Sequence, residues 1–324
     1  MTDNEQSPRT LASFHQPKRR DFYRAFEDRF RGSRDLISSR LLAYLPLIEP
    51  LKSVDRRPAA VDLGCGRGEW LELLADNGFD AQGIDLDDGM LSACHGRGLR
   101  AHKGEAVAFL KQLPSDSRAI VSGFHIAEHL RFPKLAALVQ EAMRVLKPAG
   151  LLILETPNPE NFRVATLSFY CDPTHLRPLP PQLLAFLLEY HGFARVKIIR
   201  LQESRDVLHS QTVSLGEVLG GASPDYAVVG QKAAVEAITK LFDHAFDREF
   251  GIAEQVLIER FDQELLARNE QLRELTGRLQ ALEARLEGKG NARAARAARC
   301  PALTAPLRGV RRAARWVLRG SVPG

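Results

Sequence analysis

Asp62-Leu63-Gly64-Cys65-Gly66-Arg67-Gly68 sets three glycines directly after a short apolar stretch, Ala59 to Leu63. Glycine admits positive φ and lets a ligand approach the main chain where a Cβ would collide. Asp85 ends the next apolar stretch, 21 positions beyond Gly64, and a carboxylate there can accept both hydroxyls of a ribose. The implied chemistry is nucleoside binding. A dinucleotide turn prefers Gly-x-Gly-x-x-Gly, but the sixth place from Gly64 is Glu69, a negative charge where a diphosphate should sit. A second concentration of reactive types, Tyr170, Asp172, His175 and Arg177, lies in a proline-stiffened loop suited to walling a polar, even anionic, acceptor. His175 is the candidate base, with Asp172 beside it on the catalytic side. Tyr170 and Arg177 are the candidate substrate contacts, Arg177 as the anion partner. The same loop also reads as purely structural, with Asp172 capping a turn and His175 bonding main-chain carbonyls. Glu128-His129 reads as helix-start architecture.

The elements that must position these residues alternate. Strands are expected at 59–63, 81–85, 99–103, 119–124 and 151–155, with helices at 70–77 and 134–146 among those between them. Lys147-Pro148-Ala149-Gly150 reads as a helix stop and turn. Such alternation means right-handed crossovers and a parallel sheet covered on both faces. Two further strands, 195–201 and 226–231, show no clear helix between them and suggest an antiparallel edge. The fold class is α/β, a Rossmann-like, seven-stranded, mostly parallel sheet with an antiparallel last strand, followed by a C-terminal coiled-coil helix and basic tail. In such sheets ligands sit beyond the carboxyl ends of the strands.

Asp62-x-Gly64-x-Gly66-x-Gly68 resembles the first motif of class I S-adenosylmethionine-dependent methyltransferases. Gly83-Ile84-Asp85-Leu86, Gly104-Glu105-Ala106, Phe124-His125-Ile126-Ala127-Glu128-His129-Leu130 and Arg144 to Gly150 follow in that family's order. The resemblance covers about 59–232. It implies S-adenosyl-L-methionine as cofactor, with Asp62, Gly64, Cys65, Gly66 and Gly68 shaping the loop around the methionine moiety. It further implies that Asp85 and Leu86 meet the ribose, Glu105 and Ala106 the adenine, and Phe124 and His125 the sulfonium region.

A finer resemblance joins the leader Phe22 to Ser33, Glu155-Thr156-Pro157-Asn158-Pro159 and Asp172-Pro173-Thr174-His175 to methyltransferases of bacterial surface-polysaccharide loci, the O-antigen chain-terminating type. It implies a saccharide or lipid-linked glycan acceptor, methylated on a terminal hydroxyl or phosphate, and Arg31 folded over the cofactor. No counterpart of the kinase domain that some chain terminators carry is visible. The leader also reads as part of a helix over 21–44 whose Phe22, Phe26 and Phe30 pack on the sheet. A small-metabolite O-methyltransferase and an inactive coiled-coil scaffold are the competing functions.

The expected organisation is a flexible lead at 1–20 and a methyltransferase domain with helical cap at 21–240, its core at 59–232. A helical segment at 241–288 and a basic tail at 289–324 follow. Ile258, Leu265, Leu272, Leu279 and Leu286 fall seven apart, with Phe261, Leu275 and Leu282 three later and Arg268 the exception. That repeat reads as a coiled coil over about 258–286, through which the chain would self-associate. Arg278 and Glu283 stand where they could pair between parallel chains.

The 324 residues are 44% hydrophobic and 26% charged, which excludes a disordered or fibrous protein. Nine Lys/Arg and no acid follow Gly288, so the net charge of +5 leaves −4 on the rest of the chain. A basic helix at about 306–319 with Trp316 suits an anionic membrane surface. Nucleic acid is the rival for these arginines, disfavoured by the low aromatic content. No apolar run reaches the ~18–20 residues of a membrane span, and the polar first 20 residues do not read as a secretory signal. Cys65, Cys94, Cys171 and Cys300 are scattered without a CxxC pair. They indicate no disulfide framework and no metal site, and fit a cytoplasmic enzyme peripheral to the inner membrane face.

Overall fold

The computed structural model describes residues 32–298 apart from Gln211, together with Arg29. Seven strands form one sheet: β1 (Ala59–Leu63), β2 (Asp80–Asp85), β3 (Ala101–Lys103), β4 (Arg118–Phe124), β5 (Leu146–Pro157), β6 (Arg195–Leu201) and β7 (Asp225–Gln231). Their order is β3-β2-β1-β4-β5-β7-β6. β7 runs antiparallel to both β5 and β6, and the other pairings are parallel. The central strands are apolar on both faces because both faces are covered. Alternate residues of β5 go to opposite sides, Leu151 and Ile153 into one core and Leu152 and Leu154 into the other.

Helices α1 (Arg34–Leu41), α2 (Glu69–Asp76) and α3 (Asp88–His95) help close the first core, around Tyr44, Trp70 and Leu74. Helices α4 (Ala106–Gln112), α5 (Phe132–Val145) and α6 (Pro181–Tyr190) cover the second. Both cores cross the switch between β1 and β4, where the crossovers leave in opposite directions and open a crevice.

Three local readings of the sequence change. The helix expected over 21–44 is interrupted: Arg29 is helical, Gly32 and Ser33 are not, and a new helix starts at Arg34, where the Ser33 side chain accepts from Leu36 N. Beyond Leu41 the chain continues in short turns, Leu42–Tyr44, Leu45–Ile48 and Leu51–Val54, because Pro46 and Pro50 each remove a main-chain donor. Phe22, Phe26, Phe30 and Arg31 lie outside the described residues. Lys147 to Gly150, expected as a turn, belongs to β5: Ala149 N bonds Lys232 O, Lys232 N bonds Gly150 O, and Ala149 takes up the irregularity at φ 64°. The β6–β7 connection, expected to lack a clear helix, holds two short ones, Arg205–His209 and Leu215–Gly220. Five- and six-residue helices are too short to show a 3.6-residue period.

These two helices bury Val207, Val213 and Val218 against Ile252 and Leu257, with Ile258 and Phe261 packed on the same cluster. Arg260 donates to the carbonyls of Val207 and Ser210 at 3.1 and 2.8 Å. The first two positions of the heptad stripe are therefore occupied within the chain. Contacts divide the molecule after Phe261. The second unit is the continuation of α7 (Glu254–Ala298), whose Leu265, Leu272, Leu275, Leu279, Leu282 and Leu286 are all exposed. Among the described residues no helix is long and apolar enough to cross a membrane. The proposed helix at 306–319 lies outside them.

Gly83 on β2 shows how closely the sheet meets the β1–α2 turn. A Cβ there would stand 2.5 Å from Cys65 Sγ and 2.6 Å from Leu71 Cδ1. Gly83→Ala should cost about 1–3 kcal/mol of stability through overpacking. Urea unfolding checks this, and an unchanged midpoint would show that the neighbours yield freely.

Candidate active site

The β1–α2 turn is fastened to β2 by main-chain bonds. Gly64 N and Cys65 N both donate to Ile84 O, at 2.7 and 3.1 Å. Gly64 and Gly66 take φ of 70° and 53°, the left-handed region that a Cβ penalises. Asp85 completes the fastening, its two oxygens accepting Gly66 N at 2.9 Å and Asp87 N at 2.8 Å. A carboxylate has about four acceptor positions, so capacity for a diol remains. Asp62 is buried and accepts from Ser122 Oγ at 2.7 Å, and that hydroxyl in turn accepts from Trp70 Nε1.

This turn floors a cavity of about 660 Å³ at the carboxyl ends of β1, β2, β4 and β5, a volume usual for sites that enclose a cofactor-sized ligand. The cavity gathers Asp62, Gly64, Cys65, Gly66, Asp85, Leu86, Glu105, Ala106, Phe124, His125, Asp172 and His175. Gly68, Tyr170 and Arg177 do not line it. Gly68 caps α2 with φ 80°, Tyr170 is exposed beside Phe169, and the Arg177 guanidinium lies 5.0 Å over the Phe132 ring. Glu105 spends its carboxylate as the N-cap of α4, accepting Val107 N and Ala108 N, with Lys134 at 3.2 Å. Burial opposes its ionisation, but those bonds and the Lys134 charge outweigh it and lower its pKa.

The acceptor side is built around His125, which follows β4 at φ 54°. Its Nδ1 lies 3.2 Å from Glu128 Oε1 and its Nε2 3.3 Å from Glu155 Oε1. Glu128 is buried and also accepts from Thr156 Oγ1 at 2.8 Å. Glu155 accepts from the Tyr44 hydroxyl and from Gln202 Nε2. Burial disfavours a charged imidazole, yet the bonds to Glu128 and Glu155 and the nearby charge of Asp225 hold His125 well above its ordinary pKa. Burial likewise pushes the Asp225 carboxyl up to about 7.

His175 presents a different state. Its Nδ1 donates to Phe169 O at 2.6 Å, so in the neutral ring the lone pair is on Nε2, 3.8 Å from Asp172 Oδ2 and 3.9 Å from Glu128 Oε1. Asp172 Oδ1 accepts Thr174 N at 2.8 Å, the turn-capping bond of the structural reading. The bonds of this loop are those of a braced turn, and its histidine borders the cavity. Glu128 goes beyond helix-start architecture, since its carboxylate meets His125. Sequence reasoning missed Tyr44, Glu155, Gln202 and Asp225. Glu155 lies in the 155–159 segment but had no role there, the other three sit in no motif, and four chain segments far apart bring them together.

The geometry suits a nucleoside without phosphates. A diphosphate belongs at the start of the helix after the turn, and there Glu69 is buried, 3.0 Å from Arg67 Nε. A methyltransferase-domain family model matches residues 23–198. This chain belongs to that methyltransferase family. Over 177 residues it is 29% identical to a Mycolicibacterium smegmatis protein named as a probable S-adenosylmethionine-dependent methyltransferase, covering 55% of this chain and 65% of that one. It is 34% identical over 104 residues to the ubiquinone biosynthesis O-methyltransferase of Methylococcus capsulatus, covering 31% and 43%. The chain thus spans less than two thirds of the length of these curated relatives. A crystal structure of an Archaeoglobus fulgidus SAM-dependent methyltransferase matches with TM-score 0.58 and 32% identity, covering 65% of this chain and 100% of that one.

The methyltransferase takes S-adenosylmethionine as its cofactor. The positive-φ turn, the Asp85 carboxylate and the buried Glu69 at the helix start fit that molecule, and Gly64, Gly66 and Asp85 would hold it. Hydrogen bonds to a charged group contribute ~1.5–3 kcal/mol each. Asp85→Ala should therefore weaken cofactor binding roughly 10–100-fold in calorimetry, and unaltered affinity would remove the diol from Asp85.

Proposed function

We propose that this enzyme methylates an oxygen of a saccharide in lipid-linked, O-antigen-like surface polysaccharide synthesis. One observation carries the reading: a single cavity joins the cofactor turn to an acceptor half bordered by ionisable groups, with His175 on its wall. The sequence likeness of 155–159 and 172–175 to the polysaccharide-locus enzymes supports the saccharide. The bound cofactor supplies an electrophilic methyl group on sulfur. The protein aligns the acceptor oxygen and excludes water. His175, its tautomer set by Phe169 O, is the proposed base for a hydroxyl. Asp172 and Glu128 would stabilise the imidazolium formed there.

The ubiquinone biosynthesis relative favours a second reading, methylation of a small-metabolite oxygen. Incubation of lipid-linked glycans and of small metabolites with radiolabelled donor separates the two. Label confined to metabolites defeats the saccharide reading. His175→Ala should lower turnover ~10²–10⁴-fold, the usual contribution of a general base, while donor binding stays intact.

The exposed leucines from Leu265 to Leu286 keep a seven-residue spacing that stays in phase only with another supercoiling helix. The proposed partner is a second copy of the chain, with the basic tail, 289–324, on an anionic membrane face. Leu272→Asp with Leu279→Asp should reduce the mass seen by sedimentation equilibrium to that of one chain. Removing the tail should abolish co-sedimentation with anionic vesicles. An assembly that survives the two aspartates, or vesicle binding without the tail, would refute the corresponding part.

A further inference from the structure

The acceptor half of the cavity carries a charge that constrains what can enter it. Glu155, Asp172 and Asp225 line it, and Glu128 lies buried behind His125. Three of these carboxylates are engaged. Glu128 serves His125 and Thr156, Glu155 serves Tyr44, Gln202 and His125, and Asp172 serves Thr174. Asp225 differs. Among the described residues its carboxylate makes no hydrogen bond, and its closest ion-pair contact is His125 Nε2 at 4.0 Å.

The charged groups facing Asp225 come from three elements: Arg40 on α1, His125 and Glu128 after β4, and Glu155 on β5. The His125 ring is already divided between Glu128 and Glu155. Arg40 is exposed but also lines the cavity, among the described residues a lone arginine whose charge already acts on Asp225 and stands against four carboxylates. Arg177, the anion contact expected from the sequence, stacks on Phe132 away from the cavity. A phosphate or carboxylate oxygen would thus meet an excess of like charge.

We infer that the acceptor is a neutral hydroxyl placed on His175, and that Asp225 selects its molecule by accepting a hydrogen bond from a second, non-reacting hydroxyl while repelling anionic oxygens. The inference rests on the methyl-transfer reading above and narrows its substrate class. The chemistry balances for a hydroxyl. The acceptor oxygen forms a C–O bond as the C–S bond breaks, its proton passes to His175 Nε2, and sulfur departs as a neutral thioether. An anionic acceptor needs no base, so the open Nε2 of His175 points the same way as the acidic wall.

The test gives wild-type and Asp225→Asn full-length enzyme the same radiolabelled donor and two fractions of one cell extract, lipid-linked glycans and small metabolites. Which fraction takes label decides the saccharide reading. The chemical form of the label, in whichever fraction, decides this one. Methyl ethers are expected. D225N should lose at least tenfold in kcat/KM, mainly through KM, with the donor dissociation constant within twofold and partial recovery in Asp225→Glu. Label in methyl esters of phosphate or carboxylate overturns the inference, as does a D225N KM equal to wild type. Loss of donor binding in D225N would make Asp225 a structural residue and overturn its assigned role.

Discussion

The carboxylate of Asp85 ties the end of β2 to the turn that follows β1, through Gly66 N and Asp87 N. The left-handed glycines of that turn have no regular secondary structure of their own to hold them. Their geometry is borrowed from the β1–β2 pairing, which places Ile84 O under Gly64 N and Cys65 N. One acidic side chain therefore braces the turn and offers remaining acceptor capacity to a ligand. This explains why a carboxylate belongs at that place even before a nucleoside is considered.

The acceptor half obeys a different constraint. Buried ionised groups must be paired or hydrogen-bonded, or they change protonation state. Glu128 and Glu155 satisfy this through His125, with help from Tyr44, Thr156 and Gln202. Asp225 does not, and its carboxyl is pushed up to about 7 mainly by burial. A polar network with one unsatisfied member at the cavity wall is costly for stability, and functional sites are where such costs are found.

The cofactor half was legible because its residues are local. Glycines after an apolar strand, an acid at the end of the next strand and the order of later motifs all lie along the chain, and periodicity located β1 to β5, though β5 starts earlier than expected, at Leu146. The acceptor half was legible only in part. His175 and Asp172 stood out by residue type, but whether Tyr170 and Arg177 turn inward depends on packing against Phe169 and Phe132. Glu155 lay in a quoted segment without a role, and Asp225 precedes an ordinary buried strand.

What the amino-acid order determined by itself was the alternation of elements, the cofactor turn and the seven-residue stripe, since each is a short-range pattern of residue types. Tertiary structure decided which charges share the cavity. Inserting β7 antiparallel between β5 and β6 brings the start of that strand to the edge where the parallel strands end. Asp225 thereby meets His125 and Glu155. The physical reason is that proximity across a sheet depends on strand order and direction, which sequence separation does not encode. The same holds for Ile258 and Phe261: their heptad spacing is local, while their burial beside Val207 and Leu257 exists only once the β6–β7 connection has folded.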